Sequence, residues 1–434
     1  MNDIRKRIAE TVLRDNAVSG SGLTAEDIAG FIETPADRAR GDLALPCFRL
    51  SKALRARPDA VAQALCPLFG GDAEFERVEA VGGYLNFFYG AGKYLDDLRE
   101  LLCDSYPELS ARGAGKTICI DFSSPNIAKR FHLGHLGTTA IGNSLRNIFK
   151  SLGYNVVAIN YLGDWGTQFG KLIYAYLHWS NAERVKQRGI DELVDLYVRF
   201  CDAEKQDPSL SPLAREAFHE LESGNAEYLD IWKYFKEISL AEYKKTYDLL
   251  GIDFDSWDGE SFYTDKMPAV VRELREKGLL KTDNGAEIVD LSEFNMPPAL
   301  ILKSDGSTLY PTRDIAAAIW RKNKYDFDKC LYVTSNGQSL HFAQWFKVVE
   351  LLGYPWAKDL VHVAYGTMSI NGEKIASRTG NVVMLDDLLA KAIEKCGEIL
   401  AEKDSSVADR DSVAREVGVG AVIFNALSNS RIKD

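Results

Sequence analysis

No apolar run in the 434 residues approaches the roughly 20 needed to cross a bilayer, no Cys-x-x-Cys pair occurs, and basic charge is not in excess. Each absence removes a class of function. Without the long run, and with a charged helical opening (MNDIRKRI) in place of the apolar core of a secretory leader, the expectation is a cytoplasmic protein with no membrane attachment. The seven cysteines (Cys47, Cys66, Cys103, Cys119, Cys201, Cys330 and Cys396) are odd in number and scattered, with no Cys/His grouping at zinc spacing. That argues against a disulfide framework and against a metal site built from protein ligands. The formal net charge of −11 opposes a binder that grips polyanions regardless of sequence, whose footprint is normally basic. Any contact with nucleic acid is expected to be local.

The patterns that are present suggest two regions. Residues 1–112 read as a small α+β unit, with a helical start, a turn-rich stretch around residues 32–46, and strand-like aromatics around a Gly-Gly turn in RVEAVGGYLNFFY, residues 77–89. From 113 the rhythm changes. KTICIDF (116–122) is an apolar strand, Leu133, Leu136, Ala140, Leu145, Ile148 and Leu152 recur at helical spacing, and YNVVAINYLGDWG (154–166) opens with a second strand. The same strand, helix, strand sequence returns at residues 329–335, 339–354 and 360–366. Two such βαβ halves predict an α/β domain with one doubly wound parallel sheet across residues 113–384, interrupted by a charged helical insertion at about 178–250. Residues 385–434 read as helical again.

Three motifs carry possible chemistry. SARGAGKT (110–117) nearly matches a phosphate loop, but Ser110 occupies the first glycine position and a strand follows Thr117 where a helix is required. It reads as a domain link. KRFHLGH (129–135) places two histidines around Gly134 at a helix start after a strand. Helix N-terminal N–H groups favour anions, imidazoles can add hydrogen bonds to phosphate oxygens, and Gly134 lets a flat ring lie on the backbone. On its own the pair reads equally well as structural. MSINGEKIASRTGNVV (368–383) has the Gly-rich, Lys/Arg-bearing composition of a clamp over phosphates, or of a solvated hairpin.

Together HLGH and GEKIASR resemble the two signatures of class I aminoacyl-tRNA synthetases. The longer blocks DFSSPNIAKRFHLGHL, NYLGDWGTQFGKL, GSTLYPTRDIAAA, YVTSNGQSLHFAQWF and GEKIASRTGNVV are similar to arginyl-tRNA synthetases, as are DRARGDLALPCFRLSK and VGGYLNFF near the start. The resemblance runs the length of the chain. It implies a ligase that activates L-arginine with ATP and Mg²⁺ and transfers it to tRNA(Arg), working as a monomer. It also implies that residues 1–112 contact tRNA and that residues 385–434 begin a helical anticodon-binding domain. That domain would extend past Asp434, so a C-terminally truncated form is expected.

The resemblance assigns roles by position. His132, His135 and Gly134 would serve ATP, with Lys374 and Arg378 closing from the downstream loop. Asp121, Asn126, His132, Tyr310, Asp314 and Gln338 would receive arginine. A planar, permanently charged guanidinium calls for carboxylates and planar acceptors, which those side chains supply. Three positions depart from the family pattern: Ser377 replaces the second signature lysine, Arg130 a common proline and Gly137 a common arginine. Lys129 is expected to supply the charge that Ser377 does not. The competing expectations are a nucleotidyl transferase without tRNA and a non-catalytic arginine- or nucleotide-binding paralogue.

Overall fold

The computed structural model describes residues 2–102, 111–304, 306, 309–366, 369–370, 373–374, 383–403 and 408–432. The chain divides into two compact units, residues 1–107 and 108–434.

In the first unit, β1 (Leu43–Pro46), β2 (Phe75–Val81) and β3 (Tyr84–Tyr89) form an antiparallel sheet in the order β1-β3-β2. Gly82 and Gly83, both at positive φ, make the tight β2–β3 turn, which side chains with a Cβ would strain. Alternate residues of β3, Leu85 and Phe87, are fully buried against Ile8, Val12, Leu50 and Leu65 from the surrounding helices.

The second unit is built on four parallel strands: β4 (Thr117–Asp121), β5 (Asn155–Ile159), β9 (Lys329–Ser335) and β10 (Leu360–Tyr365), in the order β10-β9-β4-β5. A separate antiparallel sheet of β6 (Leu280–Asp283), β7 (Ala286–Val289) and β8 (Ala299–Leu302), which the sequence reading did not foresee, precedes β9. Successive strand residues fall on opposite faces of the parallel sheet and sort into two cores. Ile118, Ile120, Val156, Ala158, Leu331 and Val333 join one cluster; Cys119, Val157, Ile159, Cys330 and Tyr332 join the other. The first cluster includes residues of helices α1 (Gly134–Ser151) and α2 (Ala226–Leu250), together with Leu385, Leu389 and Val419. The second takes in helices α3 (Tyr310–Tyr325) and α4 (Ser339–Leu351). The result is a sheet covered on both faces, the environment that continuous apolar strands require. The six cysteines among the described residues are free.

The sheet order matters for the site. From β4 the chain crosses to β5 on one side, and after the intervening helices it returns to β9 on the other. The C-terminal ends of β4 and β9, where Asp121 pairs in register with Tyr332, therefore border a topological switch point, the place where such sheets open a crevice.

Close packing of α1 on β4 gives a stability test. A Cβ at Gly142 would stand 2.2 Å from Cγ of Phe122, whose ring is fully buried. The helix propensity gained by Gly142→Ala is about 1 kcal/mol. Overpacking a closed core costs about 1–3 kcal/mol. The variant is therefore expected to unfold at lower urea concentration than the wild type; an equal or higher midpoint would contradict the packing described.

Candidate active site

Beyond β4 the backbone enters the left-handed region at three residues that are not glycine: Ser123 (φ 70°), Ser124 (φ 48°) and Ala128 (φ 58°). Such conformations cost on the order of 1–3 kcal/mol each and persist only where the surroundings enforce them. Helix α2 does much of the enforcing. Ser239, Tyr243 and Tyr247 recur every four residues on one face of it. The Ala128 N–H donates to Ser239 Oγ (2.9 Å), the Tyr243 hydroxyl lies 2.7 Å from the carbonyl oxygens of both Asn126 and Lys129, and the Tyr247 hydroxyl lies 2.6 Å from Ser123 Oγ. From α1, Thr138 Oγ1 accepts from the Ser123 N–H at 3.0 Å. Asn126 lies on Gly163, where a Cβ would come within 1.8 Å of Asn126 Oδ1.

The loop delivers the two histidines to the start of α1 in a defined state. His135 Nδ1 accepts the His132 N–H (3.1 Å) and His132 Nδ1 accepts the Gly134 N–H (3.1 Å). Each ring therefore carries its proton on Nε2. Burial, with His132 and Lys129 nearby, lowers the His135 pKa to about 3, and burial followed by the Lys129 charge lowers that of His132. The pair is neutral at physiological pH. The expectation of free N–H groups at this helix start needs correcting. Those of Leu133, His135 and Leu136 bond to the carbonyls of Val383, His132 and Leu133, while those of His132 and Gly134 are taken by the imidazoles. An anion here would be met by imidazole Nε2–H donors. The flat ring lying on Gly134 is that of His132, 2.8 Å from where a Cβ would be.

At the switch point a cavity of about 490 Å³ opens, and Asp121, Asn126, Gly134, His135, Tyr310, Asp314 and Gln338 all line it. His132 and Lys129 are not on its lining, and Lys129 is exposed. The Lys374 side chain and Arg378 lie outside the described residues.

The acidic groups differ in their engagement. Asp121 is buried, with Oδ2 2.8 Å from Nη1 of Arg321 and Oδ1 accepting from Ser124 Oγ at 2.9 Å. Burial raises its pKa despite the Arg321 charge. Asp314 lies inside α3, clear of its N-cap, and its Oδ2 is 2.6 Å from His341 Nε2. A third carboxylate, Glu260, was not anticipated. It lines the same cavity, pairs with Arg313 at 3.2 Å, and is pushed up to about 7, mainly by burial. Nothing around WDGESFY marks it, because its place depends on contacts with distant segments. His341 was overlooked too, although it lies one helical turn beyond Gln338.

A second cavity, of about 770 Å³, is lined by Trp165, Arg215, Lys303 and Arg313 among others. Tyr310 lines both cavities, and Arg313 of the second pairs with Glu260 of the first.

This arrangement can be set beside known proteins. Residues 98–434 match the family model described as tRNA synthetases class I (R), catalytic domain, and residues 2–89 match the arginyl tRNA synthetase N terminal domain. The chain belongs to the arginyl-tRNA synthetase family. It is 48% identical to the arginine–tRNA ligase of Alkaliphilus metalliredigens over 436 residues, covering 100% of this chain and 76% of that protein. With the enzyme of Clostridium botulinum strain Alaska E43 it shares 49% over 415 residues, 95% of this chain and 73% of the other. Among solved structures, Thermus thermophilus arginyl-tRNA synthetase superposes with a TM-score of 0.73 at 24% identity, over 99% of this chain and 76% of that one. The Plasmodium falciparum enzyme gives 0.74 at 23% identity over 99% and 75%. At those identities the likeness speaks for the fold. Among the described residues no helix is long and apolar enough to cross a membrane.

The histidine geometry is open to a spectroscopic check. Long-range ¹H–¹⁵N spectra are expected to show both rings as Nε2–H tautomers, with His135 not titrating between about pH 5 and 8, because burial lowers its pKa to about 3. Protonation of His135 in that range would contradict the assignment.

Proposed function

We propose that the chain carries out the arginine–tRNA ligase reaction through the cavity at the switch point. The observation that carries this reading is that one cavity joins two carboxylates, Glu260 and Asp314, with a neutral histidine at the start of α1. Glu260 and Asp314 would face the arginine guanidinium, with Tyr310, Gln338 and Asn126 as polar partners. Asp121, already paired with Arg321, would act by fixing the Ser124 turn.

The arginine carboxylate would attack the α-phosphorus of ATP in line; the new P–O bond forms as the bond to pyrophosphate breaks. No side chain becomes covalently attached, so catalysis is alignment and charge stabilisation. His135, assisted by His132, would donate from Nε2–H to phosphate oxygens, and Lys129, Lys374 and Arg378 would add positive charge. Gly134, lacking a Cβ, leaves room for the His132 ring that lies on it at the helix start. A ribose hydroxyl at the tRNA end would then attack the arginyl carbonyl carbon and release AMP. Among the described residues no three His, Cys, Asp or Glu side chains form a metal-binding group. Mg²⁺ would accordingly be held through the triphosphate and its own waters, as is usual for this ion. Residues 1–112 would contact tRNA(Arg), and residues 385–434 would begin the anticodon-binding helices, in a cytoplasmic monomer.

The direct test is attachment of labelled arginine to total tRNA, with arginine binding followed in parallel by calorimetry. ATP-dependent charging with arginine and none with lysine is expected; failure both to charge tRNA and to bind arginine would overturn the reading.

The state of Glu260 adds a pH dependence. Its carboxyl is pushed up to about 7 from an ordinary 4.5, so between those values the free protein holds a proton that the unfolded chain has released. A guanidinium is attracted to the carboxylate form. Arginine affinity is thus expected to rise with pH from 5.5, level off above about 8, and release a proton near pH 6.5. Calorimetry in buffers of different ionisation enthalpy reads the proton directly, and an affinity flat across this range would remove Glu260 from the recognition set.

A further inference from the structure

NYLGDWGTQFGKL supplied part of the family likeness, but the reaction above gives its acidic residue no task. Asp164 is wholly excluded from solvent and is absent from the lining of the cavity, so it cannot touch a ligand there. A buried carboxylate persists only if it is paired and hydrogen-bonded. Its partners come from two directions. Lys236 of α2 donates to Oδ2 at 2.6 Å, while the Ser261 N–H donates to Oδ1 at 2.8 Å and the Ser261 hydroxyl to Oδ2 at 2.8 Å. Trp232, one turn before Lys236, donates its indole N–H to the Asp164 carbonyl at 2.8 Å.

Those partners bracket Glu260. On its C-terminal side Ser261 is bound twice to Asp164. On its N-terminal side a Cβ at Gly259 would stand 2.6 Å from the same carboxylate, an approach that only glycine permits. The Glu260 N–H itself donates to the Leu162 carbonyl at 2.9 Å, two residues before Asp164. Gly259, Glu260 and Ser261 are thus laid against the Leu162–Asp164 segment, hydrogen-bonded to it at Glu260 and Ser261 and closely packed on it at Gly259.

We propose that Asp164 and Lys236 are positioning residues that hold Glu260 at the arginine cavity, so that recognition of the guanidinium is set in part from helix α2. The inference rests on the functional reading above. Lys236 holds the Asp164 side chain in place through its hydrogen bond, Asp164 fixes the Gly259–Ser261 turn, and the turn aims Glu260.

A double-mutant cycle on the whole 434-residue chain tests it, with arginine and ATP binding measured by calorimetry and folding monitored by circular dichroism. Asp164→Asn is expected to weaken arginine binding about tenfold while ATP binding changes less than about twofold. In a Glu260→Gln background the same substitution is expected to add less than about twofold, because the residue it positions is already disabled. Lys236→Met, which leaves the buried Asp164 carboxylate without its cationic partner and is measured only where circular dichroism shows native folding, should reproduce the selective loss, and Lys236→Arg should restore it. Multiplicative losses in the cycle, or equal loss of ATP and arginine binding in Lys236→Met, would overturn the proposal. A wild-type chain that binds no arginine would instead refute the functional reading, and this inference with it.

Discussion

Hydrogen bonds from one face of helix α2 to the loop after β4 are the constraint on which the site depends. Ser239, Tyr243 and Tyr247 meet a backbone that turns left-handed at Ser123, Ser124 and Ala128. The cost of those conformations exceeds what any one neutral hydrogen bond returns, about 0.5–1.5 kcal/mol, so several bonds must act together. With the loop held, Asn126 reaches the cavity and the histidines reach the start of α1. Without it, the chain leaving Asp121 would have no reason to present either.

The electrostatics follow the same logic of internal support. The protein already houses one guanidinium at the cavity, that of Arg321, against the Asp121 carboxylate and among the rings of Tyr161, Tyr263 and Tyr332. That pair leaves Asp121 committed and makes Glu260 and Asp314 the acidic groups a second guanidinium would meet. Both also have protein partners, Arg313 and His341. The carboxylates are therefore each hydrogen-bonded or ion-paired within the protein, which limits the desolvation cost of keeping several of them close together.

Much of the fold was legible in the sequence because its signals are local. Apolar runs gave β4, β5, β9 and β10, and helical periodicity gave α1 and α4. Seven of the expected residues, Asp121 to Gln338, do border one cavity. What escaped was non-local. Glu260 reaches the cavity through a carboxylate 96 positions earlier and a lysine 24 positions earlier, a relation that no window of neighbouring residues contains. The engaged amides at the start of α1 escaped for another reason. Histidines that accept from their own loop are indistinguishable, in composition, from histidines awaiting an anion.

Tyr310, at the first turn of α3, is a party wall between two chambers. A wall cannot shift for one tenant alone. If an occupant of the larger chamber prefers one placement of the phenol and arginine in the smaller chamber prefers the same one, each tightens the other's binding by an identical factor, and opposed preferences make them exclude each other to the same degree. One shared aromatic side chain would thus make the occupancy of each chamber depend on the occupancy of the other, whichever fills first.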